Sequence, residues 1–362
     1  MSGAAGKRAD GIRRRLSLRP ERVRELSLVA IVAVAVAVFS LLVDDYLSGR
    51  FFNRLTASVA ITALLAAAQT VVILTRNIDL SVGSVVGVTA YLTGEFLGAN
   101  QGTPAVLAVG IAIMLGCGLG LLNGVLVAYG RIPSIIVTLG TLAIFRSWLI
   151  AHAEARTITA GSLPQWVLDV PQRTWASLGD LDIRLSFGLA VVVVIVLQLA
   201  LASLRGPRRL YAIGSNPGAA RQAGLPVQRI TVGAFALSGA LAGLAGFLFL
   251  SRFGTINVDA GTGLELASVA AAVVGGVSIL GGSGTLVGAL FGAVLIGLLD
   301  QSLLRVPQVS QFWRDALLGA LILLAVASDL ALGQRLRRLW ASESRLRLSS
   351  RTPADQGDPT DA

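Results

Sequence analysis

Long apolar runs separated by short polar breaks follow one another along most of the chain. Each run is close to the roughly 20 residues that an α-helix needs to cross the hydrocarbon core of a bilayer. The runs predict spans at 27–43, 55–75, 81–98, 104–128, 135–152, 185–204, 229–250, 264–280, 284–303 and 311–329. The pattern therefore predicts an all-α fold, a polytopic membrane bundle of about ten transmembrane helices.

The composition supports this interpretation and excludes a large water-soluble module. Hydrophobic residues make up 54% of the 362 residues and charged residues 14%, whereas a soluble domain carries about 25% charged side chains. Beyond the spans only connections and tails remain, so a fused ATPase is not expected. We predict a basic cytoplasmic N-terminal tail at 1–26, a transmembrane domain at 27–330 and a cytoplasmic C-terminal tail at 331–362.

The basic residues lie mainly at the ends of the apolar runs. The chain has 30 Lys and Arg against 20 Asp and Glu, which gives a net charge of +10. Their placement follows the positive-inside bias of membrane proteins, so nucleic acid is not an expected partner. With the N-terminal tail inside, most arginines fall on the cytoplasmic side, which predicts that both termini are cytoplasmic. Residues 335–347 mix arginine with leucine and tryptophan and are predicted to contact membrane lipid.

Residues for covalent chemistry are scarce. Lys7 is the one lysine, so the phosphate-binding Gly-x-x-x-x-Gly-Lys-Ser/Thr loop is absent from the sequence. His152 and Cys117 are the single histidine and cysteine, so zinc chemistry and nucleophilic catalysis lack their usual sets of residues. We therefore predict no catalytic residues, no metal site and no cofactor bound by this chain.

Two polar segments interrupt the apolar pattern, the first at 76–84 and the second at 257–265. A carboxylate at mid-membrane costs about 2.5–3.5 kcal/mol on insertion scales, so it should face water or protein. Two interpretations remain open: Asp79 or Ser81 caps the helix that follows, or the breaks line a transport path. The candidate path residues, from the breaks and from within spans, are Asn77, Asp79, Ser81, Ser84, Asn123, Thr141, Asn257, Glu265 and Ser268.

The second half of the chain weakly repeats the first. Residues 79–82 resemble 265–269, and 131–134 resemble 305–308, each pair on opposite predicted sides of the membrane. An inverted repeat of about five spans each would produce this relation, with chance similarity as the alternative. Glycines four residues apart, as at Gly116 and Gly120 or Gly239 and Gly243, favour close packing between helices.

The segment 216–224 is predicted to form a short helix on the cytoplasmic side. Asn216 suits the N-cap, Pro217 suits the first helical position, and Gly224 followed by Pro226 is a stop signal. Because so short a helix is not stable alone, it must be held by this chain or by a partner. An interfacial connector and a docking element both remain possible at this point.

Several motifs occur in order along the chain: residues 77–84 read NIDLSVGS, 138–141 read TLGT, 211–216 read YAIGSN, and 261–265 read GTGLE. Together these motifs resemble the ribose-type permeases of bacterial ATP-binding cassette importers. The likeness runs over about residues 27–330. It departs at 75–77, where TRN stands in place of the more usual Gly-Gly, a variant that looks closest to permeases for autoinducer-2 and rhamnose.

The resemblance implies that 27–330 is a permease domain in the bacterial inner membrane and that the chain is not itself an enzyme. It implies a second permease chain, identical or similar, an external substrate-binding protein, and a separate ATPase that uses ATP and Mg. The cargo would be a sugar or sugar-like molecule: a pentose, a deoxyhexose such as rhamnose, or autoinducer-2. The ATPase would dock on a coupling helix formed by Asn216, Pro217, Ala219, Ala220, Arg221 and Gly224.

Two other classes of protein compete with this interpretation. A secondary transporter would work without an ATPase and would use Asp79 or Glu265 as a proton or sodium site. A structural or signalling membrane protein would carry no cargo, and the polar breaks argue against that class.

Overall fold

The computed structural model describes residues 20–43, 46–178, 181–303 and 305–306, together with isolated positions between 313 and 327. Over these residues the chain is predominantly helical. The helices are α1 Pro20–Leu42, α2 Gly49–Ile73, α3 Val82–Ala99, α4 Ala105–Ala128, α5 Ser134–Ala153, α6 Gln165–Asp169, α7 Leu185–Ser203, α8 Arg205–Ser215, α9 Pro217–Gln222, α10 Val227–Phe253, α11 Leu264–Val274 and α12 Leu286–Leu303.

Among the described residues, seven helices are long and apolar enough to cross a membrane: α2, α3, α4, α5, α7, α10 and α12. The apolar parts of α1 and α11 are shorter, Ser27–Leu42 and Leu264–Val274. These segments fall on the predicted spans in order, which confirms the polytopic helical bundle. The last predicted span, 311–329, and the predicted C-terminal tail lie largely outside the described residues, as do residues 1–19.

The predicted span 264–280 was wrong in its extent. Helix α11 ends at Val274, and the chain then turns through Gly276, Gly281 and Gly282, whose φ angles are 101°, 78° and 74°. A right-handed helix cannot include left-handed φ angles, so the apolar run continues in sequence where the helix does not.

Helix α2 occupies the centre of the bundle. Every residue from Val59 to Leu74 is buried. Helices α7, α10, α11 and α12 pack around it. A helix that is apolar on all sides is expected to be enclosed by other helices, which is the position that α2 takes.

Helices α4 and α10 touch backbone to backbone. A Cβ atom added to Gly120 would overlap the carbonyl oxygen of Phe235, and one added to Gly239 would lie 2.8 Å from the Cα of Gly120. Gly116 and Gly243 are equally close: a Cβ atom added to Gly116 would lie 2.8 Å from the Cα of Gly243. The glycine spacing in the sequence therefore corresponds to the closest helix pair in the structure.

The connection between α5 and α7 covers one end of the bundle. It contains two short 3₁₀ turns, α6, and an antiparallel hairpin of β1 Thr174–Leu178 and β2 Leu181–Arg184. A two-residue bridge pairs Ile158 with Ile256, with N–O distances of 3.0 and 2.9 Å. This bridge fixes the start of the connection to the chain that follows α10.

We expect Gly120→Ala to destabilise the protein and Gly118→Ala, two residues away on the same helix, to leave its stability unchanged. The first methyl group meets the backbone of α10, whereas nothing lies within 4 Å of the second. The cost of overpacking should be about 1–3 kcal/mol. Thermal unfolding midpoints of the purified variants in detergent would measure it, and equal midpoints would contradict the described helix contact.

Candidate functional site

The first polar break separates α2 from α3. Thr75 and Arg76 continue the last turn of α2, with N–O distances of 3.0 Å to Val72 and 2.9 Å to Ile73. Arg76 then adopts a φ angle of 65°, in the left-handed region where glycine is the favoured residue. The chain leaves the helical path there and re-enters a helix at Val82.

Asp79 lies at the centre of a buried polar cluster. Only 1% of the surface of this residue is exposed to solvent. Oδ1 accepts hydrogen bonds from the backbone N–H of Ser81 at 3.0 Å and from its hydroxyl at 2.6 Å, and Oδ2 accepts one from the hydroxyl of Ser238 at 3.3 Å. Among the described residues Asp79 forms no ion pair, so neutral donors alone stabilise its carboxyl group.

Four helices supply the groups around this break. The side-chain amide of Gln69 in α2 makes two hydrogen bonds with the backbone of Asp79. Its Nε2 donates to the carbonyl oxygen, and its Oε1 accepts the N–H. Asn123 in α4 donates to the hydroxyl of Ser81 at 2.8 Å. Thr138 in α5 donates to the carbonyl oxygen of Ile78 at 3.3 Å. With Ser238 from α10, these contacts tie the break to four long helices.

The capping interpretation receives support at Asp79 and none at Ser81. Ser81 occupies the N-cap position of α3, but its side chain makes no capping hydrogen bond. Instead Asp79 accepts the N–H of Ser81 from two residues upstream. Asp79 therefore satisfies a donor at the start of α3, as predicted for a capping carboxylate.

Most of the predicted path residues are packed inside the bundle. Buried positions are Asp79, Ser81, Ser84, Asn123, Thr141 and Ser268. By contrast, Asn77 and Glu265 are partly exposed and Asn257 is exposed. The buried ones are enclosed by the described part of the protein, and the role of all these residues in a path stays a prediction.

The second break joins α10 to α11 and is held by an arginine from α5. Nη1 of Arg146 donates to the carbonyl oxygens of Val258 and Ala260, at 2.6 and 2.7 Å. Glu265 accepts the N–H of Gly263 at 3.1 Å. Arg146 was not among the predicted site residues, although an arginine within an apolar span is by itself a signal of a functional or structural partner.

The two breaks meet. A Cβ atom added to Gly83 would lie 2.6 Å from the carbonyl oxygen of Gly261 and would overlap the carboxylate of Glu265, and one added to Gly87 would lie 2.5 Å from the carbonyl oxygen of Ala260. The first turns of α3 therefore lie directly on the second break, beside the start of α11. Two adjacent helix starts, one from each half of the chain, are the arrangement that an inverted repeat would produce.

The short helix predicted at 216–224 is present as α9, preceded by α8, which the sequence did not indicate. Oδ1 of Asn216 accepts the N–H groups of Gly218 and Ala219, both at 3.0 Å, and Gly224 has a φ angle of 76°. Ala220 is buried against the chain, whereas Ala219 and Arg221 are exposed. Helix α9 thus has one face packed on its own chain and another face free to contact a partner.

An apolar groove lies outside both breaks. It has a volume of about 640 Å³ and is bordered by apolar side chains of α3, α4 and α5, including Leu92, Met114 and Trp148. Near its end, Trp148 stacks on His152 with ring centroids 5.0 Å apart, and Nε2 of His152 lies 2.8 Å from Glu95. His152 is therefore a hydrogen-bonded residue at the end of a span, as expected for a lone interfacial histidine.

These features define a class of protein. An apolar bundle whose helices break at polar segments, with the two breaks in contact and short helices at one end, is the architecture of a multi-pass membrane transport protein.

Within the part of the chain that the structure describes, no group of three or more His, Cys, Asp or Glu side chains could hold a metal ion.

Comparison with known proteins identifies the family. Residues 51–326 match the family described as branched-chain amino acid transport system / permease component. The chain is 36% identical to the autoinducer 2 import system permease protein LsrC of Escherichia coli O9:H4, over 94% of this chain and 97% of that protein. LsrC of Salmonella typhi is 37% identical over 86% of this chain and 88% of its own length. No solved structure gives a significant match.

The chain therefore belongs to this family of transport-system permease components. The resemblance to the permeases of ATP-binding cassette importers is confirmed, and so is the prediction of a multi-pass membrane permease subunit. The matched region includes both breaks and the α8–α9 pair. A structural or signalling protein without cargo is excluded by this membership.

We expect Asp79→Ala to lower the thermal stability of the protein strongly, because it leaves three buried donors without their acceptor: the N–H and hydroxyl of Ser81 and the hydroxyl of Ser238. Each unpaired buried group costs about 1–3 kcal/mol. Asp79→Asn, which keeps one acceptor oxygen, should lose less. The matched control is Asp259→Ala at an exposed carboxylate of the second break. Equal thermal shifts for the Asp79 and Asp259 alanine variants would contradict the described cluster.

Proposed function

We propose that this chain is the membrane-spanning permease subunit of an ATP-binding cassette importer whose cargo is autoinducer-2 or a closely similar sugar-like molecule. The observation that carries this proposal is the similarity to LsrC of Escherichia coli, which extends over 94% of the chain and 97% of the relative. A match of this extent compares nearly whole permeases rather than a shared segment. Pentoses and deoxyhexoses such as rhamnose are the competing cargoes.

A separate ATPase supplies the energy in this proposal, and it binds ATP and Mg while this chain binds neither. Its docking element is α9, with Asn216 as the cap that keeps the helix formed. Two features support this assignment: the exposed side chain of Arg221, and the burial of Ala220, which holds the helix against its own chain. Basic residues surround α9 at positions 205, 208, 209 and 229, which favours a cytoplasmic location. Both termini are cytoplasmic in this orientation.

We place the cargo path beside this chain, between it and a second permease chain. The burial of Asp79, Ser81 and Asn123 in intramolecular contacts supports a path outside the single bundle. At the second break, the exposed Asn257 and the partly exposed Glu265 are then available to a path. An external binding protein delivers the cargo, and rigid-body movement of the two chains switches the path between the two sides of the membrane.

The test is reconstitution of the complete complex in liposomes, with this permease, the second permease chain, the ATPase and the binding protein. We expect uptake of autoinducer-2 that requires ATP and the ATPase. Excess unlabelled ribose and rhamnose should compete less well than unlabelled autoinducer-2. Uptake by the permease without an ATPase, driven by a proton or sodium gradient, would instead establish the secondary transporter and contradict the proposal.

We expect Arg221→Glu to weaken the binding of the ATPase by at least about tenfold, because it reverses the charge of the exposed side chain on α9. The matched control is Arg229→Glu, an exposed arginine at the start of α10 outside the docking helix. Binding constants measured with the permease in nanodiscs would compare the two. If both reversals weakened binding equally, general electrostatics rather than docking on α9 would explain the effect.

A further inference from the structure

Arg76 has an unusual backbone conformation at a point where the chain changes direction. Its φ angle of 65° lies in the left-handed region, which residues with a Cβ atom rarely adopt. A conformation of this kind persists only where the surrounding structure holds it. Its surroundings are therefore informative.

The guanidinium of Arg76 is bound to the end of α8. Nε donates to the carbonyl oxygen of Gly214, and Nη2 donates to that of Ser215 at 2.9 Å. These residues are the last two of α8, whose carbonyl groups have no partner further along the helix and carry a partial negative charge. The planar fork of arginine is suited to two neighbouring carbonyl groups, and its charge strengthens both hydrogen bonds.

A third segment completes this contact. The N–H of Gly282 donates to the carbonyl oxygen of Leu74 at 3.1 Å. A Cβ atom added to Gly281 would lie 2.5 Å from Cγ of Arg76, and one added to Gly282 would lie 2.5 Å from the backbone nitrogen of Ser215. We call the segments 74–76, 214–215 and 281–282 the three-segment junction. The segments lie in direct contact, and the guanidinium of Arg76 supplies the charge-assisted hydrogen bonds between the first and the second.

The three-segment junction lies between the short helix and both parts of the chain that contain a break. Ser215 directly precedes Asn216, the cap of α9. Arg76 is the first residue of the first break and is three residues from Asp79. Gly281 and Gly282 belong to the turn that follows α11, the helix that starts at the second break. A displacement of α9 therefore reaches the breaks through this contact.

We propose that Arg76 is the positioning residue that couples movement of α9 to the first break. This inference rests on the proposed function, in which a partner ATPase moves α9. Without the guanidinium, α8 and α9 can follow the ATPase while residues 76–81 stay in place. ATP is then hydrolysed and less cargo crosses the membrane.

The matched control is Arg131→Ala. Arg131 has a similar left-handed φ angle of 57° and is also exposed in a connection between two spans. No hydrogen bond or ion pair of its side chain is described. Any general effect of removing an arginine with this backbone conformation should therefore appear in both alanine variants.

The first measurement uses the isolated permease and does not depend on the proposed function. Amide hydrogen exchange should become faster by about tenfold in both 76–81 and 205–222 in Arg76→Ala, as expected for the loss of charge-assisted hydrogen bonds, and in neither segment in Arg131→Ala. Unchanged exchange in either segment of Arg76→Ala would overturn the inference. If Arg76→Ala does not accumulate, Arg76→Lys, which keeps the charge but not the fork, provides the same comparison with a smaller change.

The second measurement uses the complete complex in liposomes and counts cargo molecules taken up per ATP hydrolysed. In Arg76→Ala we expect this ratio to fall by about tenfold while the rate of ATP hydrolysis stays within about twofold of the wild type. Arg76→Lys should recover part of the ratio, and Arg131→Ala should match the wild type. A wild-type ratio in Arg76→Ala would overturn the inference. Absence of ATP-driven uptake by the wild-type complex would overturn the proposed function instead, while the exchange measurement would still decide whether Arg76 joins the two segments.

Discussion

The polar groups at the two breaks must find hydrogen-bond partners inside the protein, because the hydrocarbon core of a membrane supplies none. This constraint accounts for the placement of the polar side chains in the spans. Gln69 and Ser238 stabilise the first break, and Arg146 from α5 stabilises the second. Ser238 and Arg146 lie in helices that are distant in sequence from the breaks that they contact, so the conformation of the breaks depends on the packing of the bundle.

Glycine determines how closely the helices approach. Asn123 lies on α4 and Ser238 on α10. Because glycines let the backbones of these two helices touch, both side chains reach the same buried cluster. The same principle joins the two breaks, where Gly83 and Gly87 let α3 lie directly on residues 260–261. Packing with small residues therefore has a positional consequence as well as an energetic one.

The proposed coupling follows from the position of the three-segment junction. It lies at the point where α8 ends, the first break begins and the turn after α11 passes, so it is the meeting point of the proposed ATPase-docking region and the two breaks. Arg76 is the one side chain whose hydrogen bonds are described across it from the break to α8. A rigid contact here lets a small movement at the membrane surface reach groups deep in the bundle.

Local patterns determined much of this protein from the sequence. Apolar runs predicted the spans, the interruptions at 76–84 and 257–265 were found as polar breaks, and Asn216, Pro217 and Gly224 predicted α9 and its cap. These features depend on hydrogen bonds and φ angles within a few residues, which neighbouring residues dictate. The tertiary structure decided that Asp79 is buried, that Arg146 holds the second break, that the breaks touch, and that α11 ends at Val274. Those outcomes depend on which helices pack together across large sequence separations, and such packing follows from the fit of whole surfaces that no local pattern encodes.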